Sequence, residues 1–248
     1  MAEISPTSKE RSPGKKSSSA VEDQPAGKSR IFLVDDHTMF REGLRQLIDR
    51  ESDLEVCGDA ADAEEAMKRI AETKPDLVIV DISLAGTSGI DLIKSIKGNF
   101  EDMPVLVVSM HDELLYAERA LRAGAMGYVM KHEPAKTVKA AIRNVRGGDM
   151  HLSEKMASSI ISKFMQAKND EPTTPLETLS DRELEVFQML GQGKGVRQIS
   201  EVMGVTIPTI NSFRNRIKDK LHLKSSTEVM LHAIHWVQGE SKDPGKPY

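Results

Sequence analysis

Residues 76–81 read DLVIVD: the continuous apolar run Leu77, Val78, Ile79 and Val80, closed by the carboxylate of Asp81. A run this short and this uniformly apolar predicts a strand buried on both faces. The same pattern recurs on either side. IFLV (31–34) runs out at Asp35 and Asp36, LEVCG spans 54–58, PVLVV (104–108) ends at Ser109, and GYVM (127–130) ends at Lys131. Between these runs lie segments with helical spacing, such as Met39, Leu44, Leu47 and Ile48, then Ile90, Leu92, Ile93 and Ile96. Five buried strands alternating with helix-length connections predict an α/β unit over residues 30–150, a doubly wound five-stranded parallel sheet covered on both faces.

In an open sheet of this kind, ligands bind outside the carboxyl ends of the strands. Asp35, Asp36, Asp81, Ser109 and Lys131 all fall at such ends, so three carboxylates, a hydroxyl and an ammonium are expected in one crevice. Clustered carboxylates repel and raise one another's pKa unless a cation joins them. Carboxylates beside a phosphate are the ligand set that Mg²⁺ prefers. One Asp would then be free to attack a phosphoryl group in line, with Lys131 holding a phosphoryl oxygen and Ser109 donating to another.

The rest of the 248-residue chain divides by composition. Residues 1–29 are rich in Ser, Lys, Pro and Gly and are expected to be a disordered tail. An amphipathic helix is expected near residues 152–167, with Met156, Ile160, Ile161 and Phe164 on one side, within a linker spanning 151–178. The linker closes with AKNDEPTTPLET, which has two prolines and no apolar periodicity. Residues 179–238 show helical spacing alone, broken at Gly191-Gln192-Gly193 and Gly204-Val205-Thr206, which leaves room for a small all-α unit of four short helices. Residues 239–248 are a polar tail.

Charge follows the same division. The net charge of −4 combines 16 basic and 22 acidic residues over 30–149 with seven basic against two acidic residues over 194–224. An acidic first half and a locally basic second half point to a nucleic-acid partner for the second. In that half Ser180 and Glu183 form a capping-box pattern, and a second helix is expected from about Gly195 to Met203 with Val196, Ile199 and Met203 inward. Thr206 is placed to cap a third helix with Pro208 in its first turn. There Ile210, Phe213, Ile217 and Leu221 share one face. Asn211, Ser212, Asn215 and Lys218 share the other, flanked by Arg214 and Arg216. A helix with an apolar side and an amide- and arginine-bearing side suits the DNA major groove.

The strand-end motifs IFLVDDH, VDISLAGTSGIDL, VVSMHDE and GAMGYVMKHEP resemble the successive signatures of the response-regulator receiver domain, over roughly 30–148. The segment from Leu179 to Leu223 resembles the LuxR-type helix-turn-helix that follows receivers in the NarL/FixJ group. The resemblance implies a flavodoxin-like receiver and a transcription regulator controlled by phosphorylation of Asp81 by a sensor histidine kinase. It implies Mg²⁺ on Asp36, Asp81 and the backbone carbonyl of Ser83, with Asp35 assisting through water. Ser109 and Tyr128 would be the switch pair. Asn211, Ser212, Asn215, Arg214, Arg216, Lys218, Arg197, Thr206 and Thr209 would contact double-stranded DNA. Homodimerisation on phosphorylation or DNA binding is implied through the last helix, with Val229, Met230, Ile234 and Val237 as its apolar surface.

Three positions depart from the family. Ala85 stands where proline is usual, Asn211 where lysine is usual, and Gly195-Val196 where the second helix commonly starts with a polar pair. Asn211 should move base preference toward A·T, because asparagine pairs with adenine whereas lysine favours guanine.

Two other functions compete with this reading. An Asp-nucleophile phosphatase of the haloacid dehalogenase type needs Asp-x-Asp on the nucleophile strand, and Asp81 is followed by Ile82 and Ser83. A receiver serving as a constitutive, unphosphorylated interaction module is the other alternative, opposed by the full set Asp35, Asp36, Asp81, Ser109 and Lys131. No GxxxxGK[ST] loop is present, which leaves an NTPase unsupported. His232 and His235 lack a third ligand nearby and read as ordinary histidines. A single cysteine, Cys57, fits a reducing compartment, and no apolar run reaches the ~18 residues of a membrane span, so the expectation is a cytoplasmic protein without a membrane partner.

Overall fold

The strand that ends at Asp81 sits at the centre of a five-stranded parallel sheet. A computed structural model describes residues 27–166 and 175–238. Its strands are β1 (Ser29–Val34), β2 (Leu54–Ala60), β3 (Leu77–Val80), β4 (Val105–Ser109) and β5 (Gly127–Met130), in the order β2-β1-β3-β4-β5. The crossover helices are α1 (Thr38–Asp49), α2 (Ala63–Thr73), α3 (Gly89–Asn99), α4 (Glu113–Arg122) and α5 (Ala135–Arg146). β1 starts at Ser29, two residues ahead of the apolar run, where Ser29 pairs with Leu54.

Alternate residues of each strand enter different cores, the period-2 consequence of the pleat. Ile31, Leu33, Leu77, Ile79, Leu106 and Val108 pack under α1 and α5. Phe32, Val34, Val78, Val80, Val105 and Val107 pack under α2, α3 and α4. Burial on both faces is why the strands read as continuous apolar runs. The chain order reverses about β1, so the crevice of the sheet opens at the carboxyl ends of β1 and β3, where Asp35, Asp36 and Asp81 lie.

The outer edge of β5 is capped by the chain itself. Met126 O accepts from His151 N–H at 3.0 Å, and His151 O accepts from Tyr128 N–H at 3.0 Å. Beyond it, α6 (Glu154–Gln166) packs on α4 through buried Met156 and half-buried Ile160. Ile161, expected on that apolar side, is instead 60% exposed, because α6 meets a partner along a narrower stripe than its sequence offers. The side chain of Phe164 and residues 1–26, 167–174 and 239–248, which include most of the expected N-terminal tail, part of the linker and the polar C-terminal tail, lie outside the described residues. The end of the expected flexible linker forms a 3₁₀ turn, Pro175–Thr178.

The C-terminal unit comprises α7 (Asp181–Gly191), α8 (Val196–Met203), α9 (Ile207–Lys220) and α10 (Ser226–Val237). Ser180 and Glu183 form the expected capping box on α7. Gly204, at φ +63°, ends α8 in the left-handed conformation that glycine adopts without strain. Thr206 is the N-cap of α9 but makes no side-chain cap bond; its Oγ1 lies 2.9 Å from Thr209 Oγ1 instead. α7 is buried from Glu183 to Gly191, since α9 and α10 cover one side and the α/β unit covers another. Leu179, Leu184 and Phe187 thereby join the core cluster under α3 and α4. Among the described residues no helix is long and apolar enough to cross a membrane.

Candidate functional site

Parallel strands deliver the predicted residues to one pocket. Lys131, one residue past β5, places Nζ 2.7 Å from both Asp35 Oδ2 and Asp81 Oδ2. All three side chains are buried. Asp35 Oδ1 accepts from His37 N–H at 2.8 Å. Burial and the neighbouring Asp81 hold the Asp35 carboxyl above its ordinary range, against the lowering pull of Lys131. Burial pulls the Lys131 ammonium down, but Asp81 and Asp35 outweigh this and hold it above its usual value.

Charge is unevenly matched in this pocket. Asp81 Oδ1 is buried without a hydrogen-bond partner, and so is Asp36 Oδ1, although His37 Nδ1 approaches the latter to 2.7 Å. Ligand atoms of Asp35, Asp36, His37 and Asp81 all lie within 4.8 Å of one another. Buried carboxylate oxygens with no donor are costly unless something cationic or hydrogen-bonding meets them. The donor set is therefore suited to a hard cation.

Gly89, at the start of α3, lets the helix pack against the acceptor strand: a Cβ there would fall 2.0 Å from the Asp81 carbonyl oxygen. Ser109 is fully buried, and its Oγ accepts from His111 N–H at 3.3 Å. Tyr128 points inward, 2% exposed, and its hydroxyl donates to the His111 carbonyl at 2.8 Å. Burial pushes the Tyr128 phenol well above its usual range. Ser83 lies two residues past Asp81, and its Oγ is 2.6 Å from His111 Nε2.

Sequence reasoning missed several neighbours. Phe40 lays its ring 4.5 Å from Lys131 Nζ, a cation–π contact on the pocket wall. Arg41 binds the Asp35 carbonyl as well as the Asp59 carboxylate. His111 touches Ser83 on one side and Gln188 of α7, at 2.8 Å, on the other. His111 was legible in part, since it stands two residues beyond Ser109. Gln188 carried no signal, because a mid-helix amide reads as surface.

On α9, Ile210 and Ile217 are buried and Phe213 and Leu221 pack against the core, as their spacing predicts. Asn211, Ser212, Asn215 and Arg216 are exposed together. Arg214 and Lys218 are half-buried, and Arg214 Nη1 donates to Asn211 Oδ1 at 3.3 Å. Arg197 is exposed and pairs with Glu201 at 3.3 Å. On α10 the expected apolar surface needs correction. Val229 is fully buried against α7, whereas Met230, Leu231 and Val237 are 40–50% exposed.

A five-stranded sheet with an acidic pocket and a buried lysine, followed by a helix-turn-helix with a polar recognition face, has the architecture of a two-component regulator. Comparison with known proteins agrees. Residues 31–143 match the response regulator receiver domain, and residues 177–233 match the bacterial regulatory proteins of the luxR family. The chain is 32% identical over 209 residues to the oxygen regulatory protein NreC of Staphylococcus aureus, covering 83% of this chain and 96% of NreC. It is 36% identical to a two-component response regulator of the LuxR family from Aurantimonas sp. SI85-9A1, with a TM-score of 0.53, over 56% of this chain and 99% of that one. The RcsB response regulator of Salmonella typhimurium shares the fold, with a TM-score of 0.61 at 20% identity over 85% of this chain and 98% of that one. The chain belongs to the NarL/FixJ family of response regulators: it is a phosphorylation-controlled transcription regulator and not an enzyme.

Proposed function

We propose that Asp81 accepts a phosphoryl group from the phosphohistidine of a partner sensor histidine kinase, and that this acylphosphate controls how residues 179–238 bind double-stranded DNA. The observation that carries this reading is the pair of Asp81 oxygens: Oδ2 is held by Lys131 while Oδ1 is buried with no partner. An oxygen in that state is available as a nucleophile. Its attack forms an O–P bond as the N–P bond of the donor breaks, and the imidazole leaves with the electron pair.

Asp36, Asp81 and the Ser83 backbone carbonyl would hold Mg²⁺, with Asp35 assisting through water; the unpartnered Asp36 Oδ1 and the closeness of the Asp35, Asp36 and Asp81 ligand atoms support this set. The ion supplies charge neutralisation for the incoming phosphoryl oxygens. Lys131 then exchanges a carboxylate partner for a phosphoryl oxygen, as a point charge can. Ser109 turns its hydroxyl to another, and Tyr128, bonded to the His111 carbonyl, senses the movement of the loop that follows β4.

α9 enters the major groove with Asn211, Ser212 and Asn215 toward base edges. Arg214, Arg216, Lys218, Arg197, Thr206 and Thr209 serve the backbone or the groove rim. A homodimer forms through the exposed Met230, Leu231 and Val237 of α10. The protein acts in the cytoplasm, with residues 30–150 as receiver and 151–178 as linker.

Acetyl phosphate with Mg²⁺ tests the acceptor assignment. Wild type should gain the mass of one phosphoryl group, and Asp81→Asn should gain none. An acid-labile adduct of normal yield on Asp81→Asn rejects the assignment.

A further inference from the structure

Asp59, the next-to-last residue of β2, gathers arginines from two helices. Its carboxylate accepts from Arg41 Nε at 2.8 Å and from Arg45 Nη2, both on α1, and its carbonyl accepts from Arg69 Nη1 of α2. Arg41 reaches farther than the other two. Its side chain is 14% exposed, and Nη1 donates to the backbone carbonyl of Asp35. On the other side of the same residue, Asp35 N–H donates to the Ala60 carbonyl at 3.2 Å. The end of β2 therefore holds both backbone groups of Asp35, one directly and the other through Arg41.

The Asp35 carbonyl and the Asp36 nitrogen lie in one peptide plane. Fixing that carbonyl fixes the course of the chain into Asp36, whose buried Oδ1 has no hydrogen-bond partner. The Asp35 carboxylate is set separately, by His37 N–H and Lys131. Arg45 shares the Asp59 carboxylate with Arg41, but its other bond goes to the Val56 carbonyl, away from Asp35. It makes the same ion pair without the reach into the pocket.

We infer that Arg41, anchored on Asp59, is a positioning residue for the cation site: by holding the Asp35 carbonyl it aims Asp36 at the ion. The inference rests on the reading of Asp36 and Asp81 as Mg²⁺ ligands. Mg²⁺ demands near-ideal octahedral geometry, whereas Ca²⁺ accepts irregular oxygen sets. Lost aim therefore penalises Mg²⁺ more than Ca²⁺. Charge alone acts the other way, because removing a nearby guanidinium would tighten the binding of both cations.

The test is calorimetric titration of the full chain with Mg²⁺ and with Ca²⁺, for wild type, Arg41→Met, Arg41→Lys, Arg45→Met and Asp36→Asn. Arg41→Met keeps the apolar stem and loses the donors. It should weaken Mg²⁺ binding roughly ten- to hundredfold, the usual cost of losing a group that orients a metal ligand. The loss for Ca²⁺ should be smaller, a change in the ratio of the two affinities that a merely structural Arg41 would not produce. Arg41→Lys keeps the charge but lacks the fork, so its Mg²⁺ loss should be intermediate. Arg45→Met gives up an ion pair to the same carboxylate and should bind both ions as wild type does. Mg²⁺ affinity of Arg41→Met at or above the wild-type value overturns the inference, and so does an equal loss for the two ions or a matching loss in Arg45→Met. If Arg41→Met does not fold, Arg41→Lys decides, and wild-type Mg²⁺ affinity there overturns the inference. Asp36→Asn binding Mg²⁺ as tightly as wild type would instead remove the metal assignment, and the inference with it.

Discussion

Tyr128 and His111 are joined across the pocket floor: the buried phenol donates to the His111 backbone carbonyl at 2.8 Å. Tyr128 is therefore bonded to the residue whose side chain meets Ser83 and Gln188. Its own N–H is held by the His151 carbonyl at the start of the linker. Tyr128 thus bridges the β4–α4 loop and the start of the linker by two hydrogen bonds. Tyr128→Phe keeps the ring and leaves the His111 carbonyl without this donor. It should cost about 1 kcal/mol of stability. Acetyl phosphate should still label Asp81 fully, while the change in DNA affinity on phosphorylation falls. Melting curves and DNA titrations of the variant check both; an undiminished DNA response would remove Tyr128 from the switch.

Lys131→Ala removes the ammonium shared by Asp35 and Asp81 and leaves two buried carboxylates facing each other. Breaking a buried pair in this way costs about 3–5 kcal/mol. Lys131 lowers the Asp35 pKa, which burial and Asp81 raise above 3.8. Its loss should raise Asp35 further. A carboxyl whose folded value exceeds its unfolded one contributes full stability below 3.8 and loses it as pH rises through the folded value. The deficit of the variant should therefore be largest near neutral pH and shrink in acid. Mg²⁺ should raise the melting temperature of the variant more than that of wild type. Equal metal responses would argue against cation binding at these oxygens.

The strand ends were legible because an apolar run followed by a charge marks both a buried strand and its exit, as at Val80-Asp81 and Met130-Lys131. The capping box at Ser180 and Glu183 was legible for a similar reason: one local pattern has one local geometry. What the sequence withheld depended on partners distant in the chain. Val229 and Ile161 sit on apolar faces, but helical spacing does not say which part of a face meets a neighbour. Val229 is core and Ile161 is exposed. Glu183, Glu185 and Gln188 are polar yet buried, because α7 is covered from two sides and each is satisfied there by Lys220, Arg182 or His111. No periodicity announces such a helix.

Glu183 links the start of α7 to the end of α9, with Lys220 Nζ 2.6 Å from its carboxylate. Burial raises the Glu183 pKa, but bonds from Lys220 and Ser180 outweigh it and hold the group below its ordinary 4.5. A depressed carboxyl contributes stability above its unfolded value and loses it as pH falls through the folded value. Lys220 is partly exposed, so solvent screens the pair. Lys220→Met should cost about 1 kcal/mol at pH 7. That difference should fade once acid titrates Glu183. Thermal melts of both proteins across the acid range measure it, and a difference that grows in acid would reverse the sign.

Asn215 is exposed on α9 beside Asn211 and Ser212. Asn215→Ala should cost about 1–3 kcal/mol on the best duplex and relax selectivity at one base pair. Arg216→Ala should weaken all duplexes alike and lower the salt dependence by about one counterion. Asn211 needs its Oδ1 to read adenine, and that oxygen is engaged by Arg214. Titrations against selected and scrambled duplexes at several salt concentrations separate these roles. Equal losses on both duplexes for Asn215→Ala would remove it from base readout.

The most direct test of phosphorylation control is the affinity of the full chain for its selected duplex, measured with and without acetyl phosphate and Mg²⁺, in wild type and Asp81→Asn. Phosphorylation should tighten wild-type binding by on the order of tenfold, the usual scale of coupling between two sites, and should leave Asp81→Asn unchanged. An Asp81→Asn protein that tightens as much as wild type, or a fully phosphorylated wild type that binds no differently, contradicts the account.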